Sequence, residues 1–164
     1  MKSSAKSTRS TLRERIVEHL FIGEALRALW RQQITDVEVL RAEFDAHGYD
    51  LVLCRSAIIR HIQLKTQAGG DVSVSLSLAE KPSGCVIWLV VDDKLNLAEF
   101  RWFGGQPGQP LPDISALKVA RRTTRNKQGE RPERKNHRLV PKRYFEVLDS
   151  LEALLEKLIG DLVP

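Results

Sequence analysis

Residues 85–91 (CVIWLVV) form an unbroken apolar run, the pattern of a strand buried on both faces at the centre of a sheet. The surrounding elements have to supply cover for it. A chain of 164 residues with 42% apolar content can do so as one domain without disulfides or a structural metal. Cys54 and Cys85 both lie in apolar, strand-like runs outside any CxxC or Cys/His motif, so they read as buried free thiols.

Residues 1–10 are polar and rich in Ser, Thr and Lys, the composition of a disordered basic tail, which leaves 11–164 as a single α/β domain. From 11 to 33, Ile16, Leu20, Leu26, Leu29 and Trp30 recur at helical spacing, with Val17, Phe21, Ile22 and Ala25 widening the apolar surface. This predicts a helix buried on most sides. Residues 36–44 suit a short helix or an irregular strand. Residues 49–54 (YDLVLC) and 58–66 (IIRHIQLKT) predict an antiparallel hairpin across Arg55, Ser56 and Ala57. Alternation over 72–78 predicts a third strand and 97–103 an edge strand, while 104–112 (GGQPGQPLP) is loop by composition. Residues 144–162, with Phe145, Leu148, Leu151, Leu154, Leu155, Leu158 and Ile159, predict an amphipathic helix whose apolar face would serve a core or a homodimer. Helix, strands, then helix suggests a two- or three-layer α/β domain.

The hairpin carries the chemistry. Residues two apart on a strand share a side, so Gln63 and Lys65 project together. With the turn at Ser56, Asp50 falls opposite about position 62, within side-chain reach of that pair. A carboxylate, an amide oxygen and an ammonium then converge at one hairpin end. This grouping suits Mg²⁺, which takes oxygen ligands and keeps several waters, with a lysine to hold the attacking water and offset phosphorane charge. Gln67 lies two further along the same strand face. Without more, a turn aspartate and an exposed Gln-x-Lys strand also explain these residues.

Gly48-Tyr49-Asp50 at the start of one strand and Gln63-Leu64-Lys65 on the next, preceded by an acidic residue on a helix, resemble the PD-(D/E)XK nuclease superfamily. The similarity is to the branch in which glutamine replaces the first residue of the (D/E)XK pair; Tyr49 stands where the superfamily usually has proline. The resemblance spans roughly residues 15–95 and implies a restriction-endonuclease-like fold, a central mixed β-sheet flanked by an N-terminal and a C-terminal helix. It also implies a DNA endonuclease that uses Mg²⁺ or Mn²⁺ to hydrolyse phosphodiester bonds. Asp50, Gln63, the main-chain carbonyl of Leu64 and a helical acid would hold the metal, and Lys65 would position the water. Glu24 is the first choice for that acid, with Glu18 and Glu14 competing. The alternative is a nucleic-acid-binding or partner-docking module of the same fold without turnover, which the neutral Gln63 favours.

Charge points to the same partner. Residues 118–143 hold eleven Lys or Arg and two acids, a local net of +9, while the rest of the chain is −4 and the whole +5. Neutralising phosphates with such a segment releases condensed counterions, so nucleic acid is the natural ligand. Arg121, Arg122, Arg125 and Lys127 form the densest part; Arg131, Arg134 and Lys135 are the substitutes. Trp88 reads as core, and Trp102 as core, a partner contact or a base-stacking surface. The four histidines lack ligand spacing. No nucleotide-binding or serine-hydrolase motif occurs, which excludes a nucleotide cofactor of the common types. With no apolar span and no secretory leader, a cytoplasmic location away from membranes is expected.

Overall fold

The apolar run lies in β5 (Gly84–Val91), an inner strand whose side chains fill two separate cores. The computed structural model describes residues 2–44 and 47–164. Among these, α1 (Lys2–Arg31) leads into β1 (Val37–Arg41), β2 (Leu51–Arg55), β3 (Ile58–Lys65), β4 (Val72–Ser75), α2 (Leu76–Ala79) and β5. They are followed by β6 (Leu97–Gly104), β7 (Val119–Arg121), β8 (Glu133–Val140), a 3-10 turn (Lys142–Tyr144), β9 (Glu146–Leu148) and α3 (Leu151–Ile159). The fold is mixed α/β. A six-stranded sheet has the order β1-β2-β3-β5-β6-β9, antiparallel throughout except for parallel β3 and β5; a second sheet of three strands has the order β4-β8-β7.

Three layers result. Cys85, Ile87 and Leu89 of β5 meet α1 and α3, whereas Val86 and Trp88 meet the small sheet. Both cysteines are free, and burial pushes the Cys85 thiol up to about 12, so it stays protonated and inert. No described helix is long and apolar enough to cross a membrane.

Several elements differ from expectation for identifiable reasons. The helix extends back to Lys2 through the stretch read as a tail, which holds no Pro or Gly to interrupt it. It buries one face only, through Val17, Phe21, Ala25 and Leu29; Ile16, Leu20, Leu26 and Trp30, taken as its apolar stripe, are exposed, Trp30 by 74%. Residues 36–44 yield the edge strand β1. The 72–78 alternation stops at Ser75, whose Oγ accepts from Ser77 N at 3.2 Å and caps α2.

At the C-terminus, Phe145 and Leu148 enter different cores. Residues three apart share a helix face but oppose one another on a strand, and the chain forms β9 there, which makes β6 an inner strand. Helix begins only after Ser150, whose Oγ accepts from Ala153 N at 3.1 Å. The apolar face of α3 (Leu154, Leu155, Leu158, Ile159) packs into the chain's own core. Trp102 is also core, with the Arg60 guanidinium over its ring at 5.2 Å.

Arg60 has no solvent exposure and no carboxylate partner among the described residues. Its guanidinium donates to the carbonyls of Leu158 (2.9 Å), Lys157 (2.7 Å), Gly105 (2.9 Å) and Gln109 (3.2 Å). Arg60→Met keeps most of the volume but strands these acceptors, and each buried polar group left unmet costs ~1–3 kcal/mol. A loss of about 3 kcal/mol or more is expected from the urea midpoint at unchanged m-value; a loss under ~1 kcal/mol would show that water replaces the guanidinium.

Candidate functional site

The β2–β3 hairpin pairs Leu51 with Ile62, and just before that pair the chain is held by two bonds from Asp50. Asp50 N donates to Ile62 O at 2.8 Å, in accord with the expected register, and its Oδ2 accepts from Leu64 N at 2.7 Å. The backbone N–H and the carboxylate of Asp50 thus bond the residues on either side of Gln63. The approach to it is tight: Gly48 has φ 75°, and a Cβ there would lie 2.4 Å from Ser75 Cβ. Only glycine fits both constraints.

A cavity of about 670 Å³ opens at the end of β3 against the N-terminal half of α1. Asp50, Leu64 and Lys65 line it from the hairpin, and Arg13, Glu14, Arg15 and Glu18 from the helix. The structure thus brings Asp50 and Lys65 together. Glu24 is not there: it lies beside Leu20, Leu95 and Phe100 in a separate depression and pairs with Arg27. Glu24 sits more than one helical turn past the acids that line the cavity, so Glu14 and Glu18 take the place assigned to it. Of these, Glu18 is buried and paired with Arg41 (2.6 Å) and Arg15 (3.0 Å), whereas Glu14 is exposed and accepts from Ser10 Oγ at 3.4 Å.

Gln63 does not line this cavity. Ile62 and Leu64 pack toward the helices, so Gln63 turns to the other face beside Val86, where it is 6% exposed and its Oε1 has no hydrogen-bond partner among the described residues. A buried carbonyl oxygen without a donor is rare enough to need a cause, an ion or an ordered water being the usual ones. Gln67 does line the cavity, but its amide is occupied by the carbonyls of Gly69 (2.9 Å) and Asp71 (3.1 Å).

One residue escaped the sequence reading. Lys65 pairs with Trp88 and Trp88 with Arg101, which places Arg101 in the same cross-sheet row as Lys65, its guanidinium 4.5 Å from the Trp88 ring centroid and one Nη buried without a partner. An arginine between Phe100 and Trp102 in an otherwise apolar strand was the available signal.

The basic segment contains a β-ribbon, β7 against β8, whose tip holds Arg122, Arg125, Lys127 and Arg131 in solvent, with Arg121, Arg134 and Lys135 on its strands. No group of three His, Cys, Asp or Glu suited to a metal occurs among the described residues. No protein-family model matches the chain, and neither a curated protein nor a solved structure matches it.

His61, two residues before Gln63 on the same strand face, packs edge-on to Tyr49 at 5.0 Å. Burial, and secondarily the Lys81 ammonium, hold its imidazole below the ordinary histidine range. The unfolded chain accepts the proton that the folded chain resists, so this contribution to stability is present above pH ~6.5 and is lost as pH falls below it. His61→Gln is therefore expected to flatten the stability curve on the acid side of pH ~6.5, read as urea midpoints across the series; parallel wild-type and variant curves would contradict it.

Proposed function

We propose that this protein is a metal-dependent DNA endonuclease of the restriction-endonuclease-like type, hydrolysing phosphodiester bonds at the β2–β3 hairpin end. The observation that carries this reading is the cavity at the end of β3 that gathers Asp50 and Lys65 with Glu14 and Glu18. The sheet is consistent with it: a mixed sheet with α1 before it and α3 after it is the arrangement that the resemblance implies.

Asp50 and the Leu64 carbonyl would hold Mg²⁺ or Mn²⁺ with Glu14 as a further carboxylate, all three residues lining the cavity, while Gln63, the ligand that the resemblance implies, lies on the other face of β3; two or three protein oxygens suit a hard cation that keeps its waters. When bound, such an ion supplies charge neutralisation and a more acidic water. Lys65 orients that water and offsets the charge that grows on the phosphorane oxygens. Arg13 and Arg15 at the cavity wall receive the phosphate flanking the scissile one. A second reading rests on the same geometry: Glu18 is committed to two arginines and Glu24 to one, so the fold also suits a DNA-binding module without turnover.

Incubation with plasmid, linear, single-stranded and branched DNA in Mg²⁺ or Mn²⁺ separates the two. Cutting by the wild type is expected to fall by at least ~10²-fold in both Lys65→Ala and Asp50→Ala, and the metal is expected to raise the thermal midpoint of the wild type but not of Asp50→Ala. Binding without cutting, or cutting unchanged in both variants, leaves the binding module as the function.

A further inference from the structure

The ribbon is more than a charged surface. β8 is shared at its root: Val140, Leu139, Arg138 and His137 pair with β4, while Glu133 and Arg134 pair with β7 alone. The register skips three residues of β8 between those halves, since Val119 faces Arg138 and Ala120 faces Arg134. A bulge of this kind bends a strand and re-aims it. Here Arg138 Nη1 donates to Lys135 O at 2.7 Å and Arg134 Nη2 lies 2.7 Å from His137 Nε2, which fixes the bend. Beyond it the ribbon leaves the body.

The projecting part is ordered. Arg122 N donates to Pro132 O and Asn126 N to Glu130 O, each at 2.8 Å, and Asn126 Oδ1 accepts from Gln128 N (3.0 Å) and Glu130 N (2.8 Å) to close the tip. Six residues from Arg122 to Lys127 reach roughly 15–20 Å in extended chain. Arg121 spends its charge on Glu133, but among the described residues no carboxylate pairs with Arg122, Lys127, Arg131 or Lys135.

We propose that this ribbon is an arm that lies in the major groove of B-form duplex DNA. The inference rests on nucleic acid being the ligand of the proposed site and names its form. The ~12 Å major groove of an undistorted duplex admits a two-stranded ribbon with its side chains, whereas ribbons that enter the ~6 Å minor groove do so by inserting apolar wedges that kink the duplex. Residues 121–135 hold no Phe, Leu, Ile or Met to serve as such a wedge, and Pro132 lies back from the tip, its carbonyl bonded by Arg122 N. Residues 119–140 contain no Phe, Trp or Tyr, so the arm has no platform for stacking unpaired bases. Its tip has no large apolar side chain for a lipid interior or a protein core. The deep, narrow major groove of A-form RNA is closed to it.

The test uses Lys65→Ala protein in EDTA, where no cutting occurs, and follows anisotropy of a 20-base-pair DNA duplex, its single strand and the matching RNA duplex. Duplex DNA is expected to bind at least tenfold more tightly than either. Methyl green, a major-groove ligand, should compete and netropsin, a minor-groove ligand, should not. In the same background, Arg122→Gln/Lys127→Gln/Arg131→Gln should reduce the slope of log K against log salt by about 2.7, or ~0.9 per lost phosphate contact; an unchanged thermal midpoint certifies its fold. Equal binding of single strands or RNA, competition by netropsin alone, or an unchanged salt slope overturns the arm. Arm-dependent duplex binding by a wild type that cuts nothing removes the nuclease reading and leaves this one.

Discussion

The burial of one guanidinium organises the molecule. Arg60 sits on β3 facing the helices, and four carbonyls converge on it from two places distant in sequence, the end of α3 and the loop at 105–109. Taking an unpaired cation out of water is expensive unless its donors are met. Here the acceptors are neutral, but two belong to the last turn of a helix, where carbonyls are unsatisfied and the dipole favours positive charge. Burial still pulls the guanidinium below its ordinary pKa. Lysine cannot substitute: three donors on a flexible stem cannot span both groups while stacking on Trp102.

That fastening fixes β3, and β3 carries the candidate site. Ile62 and Leu64 are held in the helix-facing core, so the intervening Gln63 and the following Lys65 have no freedom to exchange faces. The small sheet is tied to the same place from the other side. Gly48 packs on Ser75 of β4, Ser75 pairs with His137 of β8, and His137 holds Arg134 in the bend of the ribbon. The turn that delivers Asp50 and the root of the arm are thus neighbours across one strand, although nearly 90 residues separate them in the chain.

What the sequence made legible follows the same physics. The run at 85–91 and the hairpin at 49–66 are local, and their apolar content alone specifies strand and position. The C-terminal reading failed because Phe145 and Leu148 fit a helical stripe as well as two faces of a strand, and only two pre-existing cores decide between them. Glu24 follows Leu20 by one turn of α1, and Leu20 is exposed while Val17 and Phe21 are buried, so Glu24 lies off the covered face. A long helix with apolar residues on more than one side leaves the choice of covered face to its neighbours. The ribbon has no hydrophobic alternation beyond Ala120 and Val140, since water bathes both of its faces; turn chemistry at Asn126 and Gly129 was its only local mark.

The cavity and the ribbon, both proposed to meet nucleic acid, differ in their electrostatics. The cavity is lined by Arg13, Arg15 and Lys65 against Glu14, Glu18 and Asp50, three formal charges of each sign. Its field at a distance is therefore small, and a divalent ion would turn it positive only once bound. The arm needs no ion: residues 118–143 carry +9 on a body that is otherwise −4. Such a separation orients an approaching polyanion toward the arm and away from the remaining surface. On the proposed function, capture would belong to the ribbon and be governed by salt, while engagement of the scissile phosphate would belong to the hairpin end and be governed by the metal. The β4–β8 pairing, which ties the ribbon to the turn before Asp50, would then link the first to the second.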